Sequence, residues 1–120
     1  MGNVMNCTIY HNPRCSKSRE TLALLEGKGI KPAVVEYLAT PPDAATLECL
    51  LQQLGLEPRQ LMRHKEAEYA ELNLDDAALT RAQLIAAMVA HPRLIERPIV
   101  VLGDKAALGR PPENVLALFD

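Results

Sequence analysis

Tryptophan is absent and phenylalanine occurs once, so with three tyrosines this 120-residue chain must build its core mainly from Leu, Ile, Val and Ala. Positive charge is not in excess either: 13 Lys and Arg stand against 15 Asp and Glu, a net charge of -2. Without a basic surface to neutralise phosphates, nucleic-acid binding is not expected. No apolar run approaches the roughly 20 residues that cross a bilayer. The start, Met1-Gly2-Asn3-Val4-Met5-Asn6, lacks a charged segment followed by an apolar stretch, and Asn6 stands where a myristoylation signal wants Ser or Thr. A cytoplasmic, monomeric protein with no membrane contact is expected. The three cysteines, Cys7, Cys15 and Cys49, are too few and too irregularly spaced for a disulfide framework. No C-x-x-C or H-x-x-x-H pair suggests a metal site, and no Gly-rich phosphate loop or dinucleotide fingerprint suggests a bound cofactor.

What is present is ordinary globular material, 48% apolar and 23% charged. The length suits a single domain that buries about 65% of its unfolded surface. Cys7-Thr8-Ile9-Tyr10 reads as a short buried strand, and Ser16 to Glu26 as a helix ended by Gly27 and Gly29. Ala33-Val34-Val35-Glu36-Tyr37, bounded by Pro32 and Pro41-Pro42, reads as a second strand, which makes a right-handed parallel βαβ unit. The middle is helical: one helix from Asp43 to Gly55, a shorter one over Pro58 to Arg63, and a third opened by the Thr80/Gln83 capping box and closed at His91-Pro92. Pro98-Ile99-Val100-Val101-Leu102 and Lys105-Ala106-Ala107-Leu108, joined at Gly103-Asp104, predict a hairpin. Pro111-Pro112 opens a last helix through Phe119.

The informative stretch is His11-Asn12-Pro13-Arg14-Cys15-Ser16-Lys17-Ser18-Arg19. It puts a thiol between a strand and a helix, where unpaired N–H groups and the helix dipole favour thiolate and can hold an oxyanion. Arg14, Lys17, Arg19 and His11 bring positive charge close in sequence. Cys15 therefore reads as a nucleophile. Cys7 reads as strand packing, and Cys49 as a helix residue without chemistry.

The order βαβ, helical segment, ββ, α, with a cysteine leading the first helix, is similar to the thioredoxin fold. The motifs His11-Asn12-Pro13-x-Cys15, Ser18-Arg19, Leu61-Met62-Arg63, Glu96-Arg97-Pro98-Ile99-Val100-Val101 and Gly109-Arg110-Pro111-Pro112 resemble the glutaredoxin-coupled arsenate reductase family, ArsC. The resemblance runs from about residue 7 to 119. It implies a thioredoxin-like (glutaredoxin-like) α/β domain over residues 1–120, with a mixed four-stranded sheet and a helical insertion at about 41–96 between strands two and three. It also implies an enzyme that reduces arsenate to arsenite. Cys15 attacks arsenate, glutathione adds at arsenic as co-substrate, and glutaredoxin resolves the intermediate. By the same resemblance His11 lowers the pKa of Cys15, Ser18 supports the thiolate through its hydroxyl, and Arg63, Arg97 and Arg110 surround the oxyanion. The Arg97-Pro98 peptide should be cis.

Such arginines suit the chemistry, since a guanidinium fork pairs two oxygens of an anion that an anionic sulfur must approach. Each arginine also has a plainer reading as a surface ion pair, Arg97 with Glu96 and Arg63 with Glu66. Two other functions remain open. A redox-sensing interaction protein like Spx would need a second cysteine, and Ser18 stands in that place. A thiol transferase with another substrate would keep Cys15 but need no arginine cage.

Overall fold

The computed structural model describes residues 6–119. Residues 1–5, read above for a targeting signal, and Asp120 lie outside the described residues. The chain forms two compact units, one from the chain up to Thr40 and from Arg97 onward, the other Pro41–Glu96.

The first unit holds a four-stranded sheet: β1 (Cys7–His11), β2 (Ala33–Glu36), β3 (Ile99–Leu102) and β4 (Lys105–Leu108) in the order β2-β1-β3-β4. β1 pairs parallel to β2 and antiparallel to β3, and β3 pairs antiparallel to β4, as expected of a mixed sheet. The twofold side-chain period of β1 sends Cys7, Ile9 and His11 to its buried face. The helix α1 (Ser16–Gly27) supplies the return between β1 and β2. It buries Ser18, Thr21 and Leu25, a face with two small hydroxyl residues where a core helix would ordinarily place aliphatics. Cys7, Ile9, Leu25, Val100 and Val115 form the core, with Leu22, Ile30, Leu102 and Phe119 packed against it. This is the aliphatic core that the scarcity of rings requires. β2 is an edge strand and mostly exposed, with Val34 at 47%. Gly103, at φ 61°, makes the hairpin turn where a side chain would be strained. After β4 the chain closes on a 3₁₀ helix, Pro112–Phe119, where the sequence predicts a regular helix.

The second unit is helical: α2 (Ala44–Leu54), α3 (Pro58–Leu61), α4 (Ala67–Glu71), α5 (Arg81–Ala90) and a 3₁₀ turn, Pro92–Leu94. Asp43 Oδ1 accepts the Thr46 N–H at 2.8 Å to cap α2, and Gly55, at φ 69°, ends it in the left-handed conformation. The Thr80/Gln83 box is reciprocal, with bonds of 3.2 and 2.8 Å. Leu47, Leu50 and Leu51 of α2 and Leu84, Ile85 and Met88 of α5 are buried. α3 stops at Leu61, short of the predicted Arg63, because the chain turns extended: Met62 bridges Ile95, the Arg63 N–H donates to Leu94 O at 2.7 Å, and the Glu96 N–H donates to Leu61 O at 2.7 Å. No helix among the described residues is long and apolar enough to cross a membrane.

Candidate active site

Asn12 sets the geometry of the loop that presents Cys15. Its carbonyl accepts the Cys15 N–H at 3.0 Å, its Oδ1 accepts the Arg14 N–H at 3.0 Å, and its own N–H donates to Ser18 Oγ at 3.0 Å. An Asn-Pro step is a turn former for this reason, the side chain standing in for backbone. Cys15 then takes an extended conformation (φ -96°, ψ 124°) as N-cap of α1, and its carbonyl accepts the Arg19 N–H at 3.0 Å. The sulfur is half-buried at the end of the helix where N–H groups lack intrahelical partners.

Burial pushes the Cys15 thiol up, but the Ser18 N–H, the Arg97 guanidinium and the Lys17 N–H together outweigh it and hold the pKa below the ordinary thiol value. The thiol makes no regular N-cap hydrogen bond, and the two first-turn amides lower its pKa as N–H donors directed at the sulfur. The formal charge that acts is that of Arg97. Proximity in sequence points instead to Arg14, Lys17, Arg19 and His11. Of these, Lys17 contributes through its backbone, and Arg19 donates from Nη1 to the Pro13 carbonyl at 3.0 Å.

His11 is buried at the end of β1, with Nδ1 2.6 Å from Ser18 Oγ. Desolvation lowers its pKa; Glu36 opposes the shift and Arg19 adds to it, so the ring is neutral at neutral pH. It brings no positive charge to the thiol, and its hydrogen-bonded link to the loop runs through Ser18. The fully buried Ser18 hydroxyl joins His11 and Asn12, while its backbone N–H is the part that lowers the Cys15 pKa.

Arg97 and Arg110 come together. Arg97 leads into β3 through a cis peptide to Pro98, as the resemblance implies, and Arg110-Pro111 is cis as well, which no residue pattern announced. Arg110 Nη1 donates to the Arg97 carbonyl at 3.2 Å, and Asn114 Nδ2 donates to the Arg110 carbonyl at 3.0 Å. Gly109 lets this segment approach α1: a Cβ there would lie 2.5 Å from Thr21 Oγ1 and 2.8 Å from Pro98 Cγ. Sequence reasoning missed both Gly109 and Asn12 as builders of the site, although the Asn-Pro turn signal was there to read.

Arg63 belongs to the helical unit. Its Nη1 lies 2.8 Å from Glu66 Oε2 and its Nε 3.7 Å from Glu96 Oε1, while Arg93 Nη2 lies 3.3 Å from Glu66 Oε1. The plainer ion-pair reading of Arg63 with Glu66 is thus realised, and Glu96 joins it. His64 is exposed and stacks on Tyr69, ring centres 4.4 Å apart, and His91 caps the C-terminus of α5. Among the described residues no three His, Cys, Asp or Glu side chains gather as metal ligands.

The model of the ArsC family matches residues 10–118. The chain is 61% identical to the uncharacterized protein YfgD of Escherichia coli K12, over 92% of this chain and 93% of that one. It is 52% identical to an arsenate reductase of Haemophilus influenzae, over 96% of this chain and all of that one. A solved structure of an arsenate reductase from Vibrio cholerae superposes with a TM-score of 0.94 at 59% identity, covering 96% of this chain and 98% of that one. A family match over nearly the whole chain, joined to a loop that presents a low-pKa thiol beside Arg97, establishes that the chain belongs to the ArsC family.

Proposed function

We propose that the protein is an arsenate reductase in which Cys15 is the nucleophile, with glutathione and glutaredoxin as reductants. The observation that carries this reading is the Cys15 thiol, held below its ordinary pKa by the first-turn N–H groups and Arg97, a guanidinium that can also receive an oxyanion. In the first step the Cys15 sulfur bonds to arsenic and one arsenate oxygen leaves as water; arsenic stays pentavalent. Glutathione then adds at arsenic. A glutaredoxin thiolate then attacks the glutathione sulfur: that sulfur–arsenic bond breaks with its electron pair left on arsenic, which becomes trivalent, and a glutathione–glutaredoxin mixed disulfide leaves. Water then displaces arsenite from Cys15 and returns its thiol. Arg97 and Arg110 offset charge on the arsenate oxygens, and Arg63, oriented by Glu66 and Glu96, is assigned the same role. Ser18 and His11 act as positioning residues for the Cys15 loop. Free Cys7, Cys15 and Cys49 fit a reducing, cytoplasmic compartment.

The test is arsenite release from arsenate by the purified protein with glutathione and glutaredoxin. Cys15→Ser should abolish it, and Arg97→Ala should lower kcat/KM by about 10- to 100-fold, the worth of one or two charge-assisted hydrogen bonds. Full activity in both Arg97→Ala and Arg110→Ala would overturn the oxyanion role given to these arginines, and no arsenite from the wild-type protein would overturn the arsenate reading in favour of a thiol transferase with another substrate.

A further inference from the structure

β1 and β2 are parallel neighbours, and His11 stands opposite Glu36 where both strands end. The loops leaving these ends border a pocket of about 340 Å³, lined by His11, Asn12, Arg14, Glu36, Leu38 and Ala39. The crevice at the carboxyl ends of parallel strands is the usual place for a small ligand in an α/β sheet, and the volume lies within the usual range for such sites. Its walls are mixed. Leu38, 41% exposed, and Ala39 offer apolar surface, and His11, its Nδ1 engaged by Ser18, has Nε2 left as a polar group. Arg14 and Glu36 bring opposite charges to the same small space, yet neither forms an ion pair with the other or with another side chain among the described residues. Two opposite charges that line one pocket without neutralising each other suit a ligand that carries both.

The position of the pocket narrows the ligand further. Arg14 is the residue before Cys15, so their Cα atoms are about 3.8 Å apart, while a tripeptide spans up to about 10 Å. A peptide anchored at Arg14 by one end reaches the thiol with the other. We propose that this pocket binds the zwitterionic γ-glutamyl end of glutathione, Glu36 taking the ammonium and Arg14 the carboxylate, so that its cysteinyl sulfur is delivered to the arsenic held on Cys15. The inference rests on the reading of glutathione as co-substrate given above. The added thiol forms a sulfur–arsenic bond as a second arsenate oxygen leaves as water, and its proton goes to that leaving oxygen.

The test uses S-methylglutathione, which keeps both charges but cannot react. Calorimetric titration of the wild-type protein should give saturable binding. Arg14→Gln and Glu36→Gln, both at exposed positions, should each weaken it about tenfold. In turnover the same variants should raise KM for glutathione about tenfold and leave KM for arsenate unchanged. Wild-type affinity and KM in both variants, or no binding by a wild-type protein that turns over, overturns the pocket assignment and leaves the arsenate reading standing. Charge-dependent binding without arsenate turnover keeps the pocket and sinks the arsenate reading.

Discussion

Gly109→Ala is expected to destabilise the sheet unit by about 1–3 kcal/mol. The new Cβ would lie 2.5 Å from Thr21 Oγ1, 3.0 Å from Thr21 Cγ2 and 2.8 Å from Pro98 Cγ, all closer than ordinary carbon contacts. The neighbours have little freedom to give way. Thr21 is fully buried and its hydroxyl donates to the Lys17 carbonyl at 2.7 Å, while the Gly109 N–H donates to the Pro98 carbonyl at 3.0 Å and ties the two segments together. Overpacking a filled site costs about 1–3 kcal/mol, and turning Thr21 aside would lose a hydrogen bond worth about 1 kcal/mol more. Against this, alanine restricts the unfolded chain and offsets roughly 0.4–1 kcal/mol. Urea unfolding should show a lower midpoint with an unchanged slope. Gly27→Ala serves as control, because nothing lies within 4 Å of a Cβ there, and it should be neutral or slightly stabilising. Thr21→Ala removes two of the three clashing atoms, so the double variant should be more stable than the sum of the single losses predicts. Wild-type stability in Gly109→Ala would refute the argument that close approach, and not turn formation, fixes glycine beside Arg110.

Three further outcomes follow from the site. Alkylation of Cys15 by iodoacetamide should titrate below the ordinary thiol value, and Arg97→Ala should move the midpoint up, since it removes the guanidinium that opposes burial. The linked stability has a definite sign: the folded pKa lies below the unfolded one, so the contribution is complete above the unfolded thiol pKa and is lost as pH falls through the folded value. Cys15→Ser should flatten that rise, and an unchanged pH dependence of urea stability would count against it. Ser18→Ala should cost about 1–3 kcal/mol, because the fully buried hydroxyl leaves behind His11 Nδ1 and the Asn12 N–H. Thermal or urea unfolding at wild-type values would show that His11 and Asn12 find other partners.

The parts of this fold that were legible in the sequence are those fixed by local chemistry. Asp43 and Gly55 bracket α2, Thr80 and Gln83 open α5, and the β-branched run before Gly103 gives the hairpin; in each case the signal lies within a few residues of its effect. What escaped depends on distant partners. Arg63 leaves its helix because Met62 finds Ile95, far along the chain, and no local pattern records that pairing. α4 has five residues and buries none of them, so it leaves no apolar period to detect. The site shows the same division. Cys15 was conspicuous from its place between strand and helix, whereas the neutrality of His11 follows from burial, with Arg19 adding to it, and the use of the Ser18 hydroxyl follows from a contact across a loop.

The Ser18 contact also bears on the proposal that the reducing thiol comes from outside. In a dithiol enzyme the position three residues after the nucleophile carries the resolving cysteine. Ser18 holds that position, fully buried, and its hydroxyl joins His11 to the Asn12 N–H, the two contacts that set the shape of the Cys15 loop. A cysteine at that place would lose the strong acceptor and donor that these bonds require. The other two thiols offer no substitute within the site. Cys7 is buried on β1, and burial pushes its pKa up, so it stays a thiol where a thiolate is needed; Cys49 is exposed on α2 of the helical unit. The half-buried Cys15 keeps access to solvent. A loop built around a serine hydroxyl thus presents one reactive sulfur, which is the arrangement that the proposed use of incoming thiols as reductants requires.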